Sequence, residues 1–388
     1  MEPQGAAQDW LAGGFGLYVH WPFCASKCPY CDFNSHVAVQ ITQTEWLAAY
    51  RSEIDRVGGE TQGRVLRSIF FGGGTPSLME PDVVAGVIDA ARAAWSFAND
   101  IEITLEANPG SVERGRFAGY ADAGVNRLSM GVQALNDDDL RRLGRLHSVA
   151  EARAAFEVAR SCFARVSFDL IYARQNHSRA AWAAELREAL SMAVDHLSLY
   201  QLTIEDGTAF GARAAAGGLR GLPDDDLAAD MYLETQDICG AAGMPAYEVS
   251  NHAAPGAESR HNLVYWRQGD WVGIGPGAHG RLTLNRRRWA TEAPRAPGDW
   301  LAAVRRGSGE LPRAEVPLSE QATEYLLMSM RLAEGMDLRR YTALNGADVN
   351  AAAVHDLREL GLIEVRDGRL WATARGRPVL NAILRALG

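Results

Sequence analysis

Of the five cysteines in this 388-residue chain, three fall within eight residues, in Cys24-Ala-Ser-Lys-Cys28-Pro-Tyr-Cys31, directly after a short apolar run. Thiolates are soft ligands, and three at this spacing can wrap one compact metal centre, whereas a disulfide would pair two and strand the third. Two centres are open at this point. A structural zinc would want a fourth nearby ligand to close a tetrahedron, and His36 can supply one. A four-iron cluster held by three cysteines would keep one iron without a protein ligand, and an open position is what a chemically active metal site needs. The tight spacing favours the cluster.

Further residues suited to chemistry follow at intervals. Gly72-Gly73-Gly74-Thr75-Pro76-Ser77 can bring bare backbone close to a ligand and present unshielded N–H groups to it. Glu106 closes an apolar run, where a carboxylate is rarely buried without a partner. Gln133, Arg145 and Asp169 come next, three polar groups after or within successive apolar runs. Later stand His261-Asn262-Leu-Val-Tyr265-Trp266, a histidine with aromatic neighbours, and the glycine-rich turn Gly275-Pro276-Gly277-Ala278-His279. Taken singly, each of these has an ordinary structural reading: a capped helix, a core histidine or a plain turn.

These residues need a frame, and the periodicity provides one. From residue 16 to about 200, short β-branched or aromatic runs alternate with amphipathic stretches, which implies parallel strands joined by crossover helices. Six strands are expected, over 17–20, 68–71, 101–106, 127–130, 166–171 and 196–199. A capping box of Thr42 and Glu45 is expected to start the first helix, whose inner face takes Trp46, Leu47, Tyr50, Ile54 and Val57. Six units suggest an α/β fold, an open partial (βα)6 barrel, with the polar residues above collected at the carboxyl ends of its strands. An alternating strand is expected over 247–252. From about residue 318 the pattern changes to three helices and a hairpin turning at Asp367-Gly368, an α+β, winged-helix-like outline. The expected division is an N-terminal extension at 1–15, the barrel at 16–245, a β-rich extension at 246–317 and the winged-helix-like domain at 318–388.

Composition limits the function. The net charge of −9 argues against a nucleic-acid surface, and residues 319–388 balance nine arginines against nine acids, so the C-terminal domain reads as a lid or docking element rather than a DNA reader. Nearly all the positive charge is arginine, which in an Ala-rich sequence reads as composition bias rather than function, and Lys27, inside the cysteine loop, is the one lysine of the chain. No basic start, signal-length apolar core or run of eighteen apolar residues is seen, so a cytoplasmic location is expected. Cys162 and Cys239 are expected to be buried free thiols.

Cys24, Cys28 and Cys31 in this arrangement resemble the signature of radical S-adenosylmethionine (SAM) proteins, whose open iron is chelated by SAM. The wider run Tyr18-Val-His-Trp-Pro-Phe-Cys24 is similar to the oxygen-independent coproporphyrinogen III oxidase family, which has an oxidase branch and a heme-chaperone branch. The oxidase branch carries a further cysteine two residues after the third ligand; Phe33 stands there, which favours the chaperone branch. The resemblance implies a [4Fe-4S] cluster on the three cysteines. It also implies SAM contacts from Tyr18, Tyr30, Gly74, Thr75, Glu106, Gln133, Arg145, Asp169, Ala278 and His279, and heme contacts from His261, Tyr265 and Trp266. His20 is read as a substrate or proton contact. One departure falls on a loop at the mouth, where family members read Gly-Leu-Pro after Tyr172 and this chain reads Ala173-Arg174-Gln175. The function so implied is a heme chaperone that binds heme and transfers it to acceptor proteins, with no nucleic-acid partner, an electron donor if SAM is cleaved, and transient membrane association through acceptors. The alternative is coproporphyrinogen III oxidation by a SAM-derived radical, so enzymatic activity stays open. A zinc-stabilised regulator fits the C-terminal outline but not the polar series from Gly74 to Asp169.

Overall fold

The computed structural model describes residues 6–38, 40–110 and 114–388. Of the expected N-terminal extension, residues 1–5 lie outside the described residues, and Ala6–Ala12 forms a 3-10 helix. Six parallel strands follow, β1 (Phe15–Trp21), β2 (Val65–Gly73), β3 (Ser96–Ala107), β4 (Arg127–Gln133), β5 (Arg165–Tyr172) and β6 (His196–Gln201). They are hydrogen-bonded in chain order, as consecutive βα units require. β1 is buried on both faces, which is why Phe-Gly-Leu-Tyr-Val-His-Trp reads as a continuous rather than an alternating apolar run.

The helix Gln43–Glu60 shows how the outer layer is held. Trp46, Tyr50, Ile54 and Val57 are buried on its inner face, each contributing about 2 kcal/mol by leaving water. The expected capping box does not form. Thr42 makes no side-chain cap, and Glu45 forms an ion pair with Arg305 instead of reaching back to the cap.

The segment expected as a separate β-rich extension instead prolongs the same sheet. β7 (Asn251–Ala253) pairs antiparallel with β6, β8 (Asp270–Ile274) pairs parallel with the free edge of β1, and β9 (His279–Leu284), β10 (Arg287–Glu292) and β11 (Ala314–Glu315) continue antiparallel from β8. Eleven strands thus form one sheet, and the bare edge that β1 would expose is covered. The alternating run 247–252 forms a strand only from Asn251, because Glu248 Oε1 accepts the N–H groups of Ser250 (2.8 Å) and Asn251 (2.6 Å) and bends the chain out of the ladder.

A second core, separate from that of the barrel, gathers Tyr325, Met330, Leu344, Ile363, Leu370 and Ile383. It lies under the helices Leu318–Ser329, Leu338–Asn345, Ala351–Glu359 and Leu380–Leu387 and a three-stranded sheet whose hairpin turns with Asp367 and Gly368 at positive φ. This domain is tied to the barrel by Arg340 on Asp9 (2.6 Å), by Gln268 donating to the Gln321 carbonyl (2.7 Å) and by Arg331 over the Trp266 ring (4.7 Å). Among the described residues no helix is long and apolar enough to cross a membrane.

Candidate functional site: a cysteine pocket beside an aromatic cleft

The carboxyl ends of the six strands open into two adjoining cavities. The first, of about 150 Å³, is lined by Cys24, Cys28 and Cys31 together with Tyr30, Gly74, Thr75, Glu106, Asn108, Gln133, Arg145 and Asp169. The loop that carries the cysteines is closed at its base by a parallel pair of two-residue strands, Phe23–Cys24 and His36–Val37. It is pressed onto the end of β2, where Gly74 N–H donates to the Trp21 carbonyl (2.7 Å) and Thr75 N–H to that of Phe23 (2.8 Å). These N–H groups are therefore spent on the cysteine loop and are not the free donors expected from the glycine run. The glycines serve close approach instead: a Cβ on Gly74 would lie 2.7 Å from the Phe23 carbonyl oxygen and 3.0 Å from Cys24 Sγ.

Arg145 reaches into the same pocket, donating to Cys28 Sγ (3.4 Å), Asn108 Oδ1 (2.5 Å) and the Gly131 carbonyl (2.8 Å), while its buried Nε has no partner among the described residues. Thr75 Oγ1 donates to Cys24 Sγ at 3.4 Å. At the pocket floor, burial pushes the Glu106 carboxyl up to about 8; the neighbouring Asp169 charge adds to this, and the Gly73 N–H opposes it. Burial also raises Asp169, to about 6, against the lowering effects of the Ser198 hydroxyl and the Arg145 charge. Three soft sulfurs under a guanidinium, with an unpartnered donor and two carboxyls opposite, suit a metal–sulfur centre bearing an amino-acid cation. A single zinc is less well served, since His36 lines the other cavity. Among the described residues no three His, Cys, Asp or Glu side chains are placed to hold one ion.

The second cavity is wider, about 720 Å³, and is walled by Tyr18, Phe33, Tyr265, Trp266, Trp271 and Met328, with His20, His36, His279, Lys27, Asp32 and Arg295 around it. Lys27, Phe33, Ser35, Gly73 and Glu106 line both cavities. Of the residues expected around SAM, Tyr18 and His279 belong to this cleft, and Ala278 is buried behind it, its carbonyl accepting from Ala293 N–H. His20 is fixed between the Tyr18 hydroxyl (3.0 Å) and the Asn34 carbonyl (2.9 Å).

The aromatic motif divides. Tyr265 and Trp266 face the cleft, but His261 is 1% exposed and stacks on Phe70 at 5.0 Å, with both ring nitrogens engaged: Nδ1 with Ser68 Oγ at 2.9 Å, Nε2 with the Tyr265 hydroxyl at 2.6 Å. Burial lowers this imidazole to about 3, so it is neutral. It stands one hydrogen bond behind the cleft wall.

The unusual loop after Tyr172 does not enter either cavity. Ala173 adopts φ +56°, the left-handed conformation that a glycine would take without strain. Arg174, 3% exposed, donates to the Ile171 carbonyl (2.6 Å), Glu185 (2.6 Å) and Asp139 (3.0 Å), and Glu185 in turn accepts Leu135 N–H (2.6 Å) beyond Gln133. The departure is thus a buried ionic buttress behind the Gln133 loop. Of the two cysteines outside the loop, Cys239 is buried and Cys162 is half-buried.

Sequence reasoning passed over Asn34, Asn108 and Arg295. Asn34 Nδ2 donates to the carbonyls of Pro276 (3.0 Å) and Arg295 (2.9 Å), joining the cysteine loop to the β8–β9 region. Asn108 had a signal, standing two residues after Glu106 and just past the end of β3; Asn34 and Arg295 had none, because only tertiary contact brings them together.

Residues 18–186 match the family model of the radical SAM superfamily, and residues 316–379 that of the HemN C-terminal domain. The chain is 36% identical to the heme chaperone HemW of Escherichia coli, over 95% of this chain and 96% of that protein. It is 37% identical to the heme chaperone HemW of Haemophilus influenzae at the same coverage. The mitochondrial radical S-adenosyl methionine domain-containing protein 1 of Bos taurus is 37% identical, over 96% of this chain and 86% of that protein. Among solved structures, coproporphyrinogen III oxidase (HemN) from Escherichia coli superposes with a TM-score of 0.81 at 22% identity, covering 98% of this chain and 92% of that one, which shows a shared fold.

Proposed function

We propose a function from one premise: this chain belongs to the family of the heme chaperone HemW, a branch of the radical SAM superfamily. On that premise the chain binds heme and passes it to acceptor proteins. The observation that carries the reading is the aromatic cleft of about 720 Å³ directly beside the cysteine pocket, a volume suited to a flat cofactor and walled by rings able to cover one. Tyr265 and Trp266 would lie against the heme, and His261 holds the Tyr265 hydroxyl from behind. For His261 itself to ligate the iron, its bond to Tyr265 would have to open.

In the neighbouring pocket Cys24, Cys28 and Cys31 would hold a [4Fe-4S] cluster. SAM would sit between Gly74, Thr75, Glu106, Gln133, Arg145 and Asp169, with Tyr30 beside the cluster loop and Tyr18, Ala278 and His279 toward the cleft. The cluster and SAM, when bound, supply one-electron chemistry. The chain's own residues do the rest. Arg145 offsets thiolate charge at Cys28, and Glu106 with Asp169 offers the anionic counterpart to an ammonium group. Phe33, 58% exposed at the boundary of the two cavities, occupies the place where the oxidase branch carries a thiol.

The test is made on one anaerobically reconstituted sample. Saturable hemin binding without conversion of coproporphyrinogen III in the presence of SAM and a reductant supports the chaperone reading; porphyrinogen turnover would replace it with the oxidase.

A further inference from the structure

From the cleft lining we infer a carboxylate receptor made by Lys27 and Arg295, which takes the propionate groups of a bound porphyrin. This rests on the heme reading above and adds to it which groups orient the ligand.

The chain has 39 basic residues, and Lys27 is its one lysine. Elsewhere arginine serves every cationic role, including the buried pairs Arg127–Glu102 and Arg288–Asp270. A lysine supplies a compact charge with three rotatable donors on a flexible stem, suited to a ligand that comes and goes rather than to a fixed bidentate pair. Its place is equally particular, three residues after Cys24 and lining both the cysteine pocket and the cleft, and it is the one basic side chain common to the two. Arg295 faces the same cleft from the segment after β10. Among the described residues neither side chain has an ion-pair or hydrogen-bond partner. Asp32 is the one carboxylate lining the cleft besides Glu106.

The two backbone segments that carry the cations are joined. Asn34, in the cysteine loop, donates to the backbone carbonyl of Arg295, and to that of Pro276 in the turn before β9. The loop bearing Lys27 and the segment bearing Arg295 are thus pinned together by one side chain. A planar apolar ligand against Tyr265, Trp266 and Trp271 would leave its anionic edge for these cations.

The SAM carboxylate is the other carboxylate that could reach Lys27, and the experiment separates the two. On the reconstituted protein, Lys27 is acetylated with an N-hydroxysuccinimide ester and read by peptide mass, which resolves it from the N-terminal amine. Hemin should protect Lys27, whereas hemin dimethyl ester and SAM alone should not. Lys27→Met and Arg295→Met should each weaken hemin binding about tenfold, as loss of a charge-assisted contact does, and bring it toward that of the ester; Lys27→Arg should restore most of the affinity. The cluster signal and its response to SAM should be unchanged in Arg295→Met, which keeps the test readable if Lys27→Met disturbs the loop. Equal affinity for hemin and its ester, or unchanged hemin binding in both Met variants, would overturn the receptor while leaving heme binding standing. Protection of Lys27 by SAM alone would assign the carboxylate to SAM and overturn it too. Failure of the wild-type protein to bind hemin at all would remove the heme reading on which it rests.

Discussion

In the cysteine pocket Arg145, Thr75 and Glu106 are engaged with the protein, Arg145 Nε excepted, while in the cleft beside it several polar groups are not. Arg145 spans Cys28, Asn108 and Gly131, Thr75 reaches Cys24, and Glu106 takes the Gly73 N–H. Across the shared wall, among the described residues, His36 Nε2 and Trp266 Nε1 are buried without partners, and the Lys27 and Arg295 side chains make no ion pair. A site whose groups are held in place before the ligand arrives suits a resident cofactor. A site with donors in reserve suits a cargo that must also leave.

The comparison breaks most completely at the cysteines. Cys28→Ala should abolish the cluster, read as loss of iron, visible absorbance and paramagnetic resonance signal after reconstitution, while hemin binding in the cleft persists. If hemin binding vanishes equally, the two cavities are one site. Next in size is the buttress behind the pocket. Arg174→Ala strips a buried cation from Glu185 and Asp139 and should cost about 3 kcal/mol in denaturant unfolding, with residual SAM affinity reduced through the Gln133 loop. On the cleft side, Trp266→Ala should weaken hemin binding about tenfold, by loss of an aromatic wall, without altering the response of the cluster signal to SAM.

The smallest effect is a pH dependence. Glu106 titrates in the folded chain at about 8, well above an ordinary carboxylate. Its protonated form therefore favours the fold; that contribution is complete below the unfolded value and is lost as pH rises through 8. Glu106→Gln cannot ionise, so without SAM it should gain thermal stability over wild type by a few degrees at pH 8 and by less at pH 6. Bound SAM, carrying an ammonium group, draws Glu106 into its charged form. Calorimetry near pH 7 should accordingly show proton release on SAM binding in the wild type and much less in the variant.

The parallel barrel was legible because its signals are local. Each of the six strands carries a β-branched or aromatic run, and the residues at their carboxyl ends, Gly74, Glu106, Gln133 and Asp169, do line one pocket with the three cysteines. Three features were not legible, each for a tertiary reason. β8 follows β1 by some 250 residues, and nothing in Asp270–Ile274 announces that it pairs with that edge. His261 lies beside two cleft aromatics in sequence, yet the helix Arg260–Trp266 turns its ring inward to Ser68 and Phe70 while Tyr265 and Trp266 face out. Arg174 replaced a family pattern without a local reason, and only its partners Asp139 and Glu185, contributed by two separate helices, explain it.

The most direct test of the division between a held cofactor and a transient cargo is a hemin titration of the reconstituted protein with SAM present. Absorbance follows the heme, and paramagnetic resonance of the same sample, after reduction, follows the cluster. One equivalent of hemin should bind with a saturable Soret band, weakened in Trp266→Ala, while the SAM-dependent cluster signal stays in place throughout. Hemin that displaces SAM, or that fails to saturate at one equivalent, would contradict it.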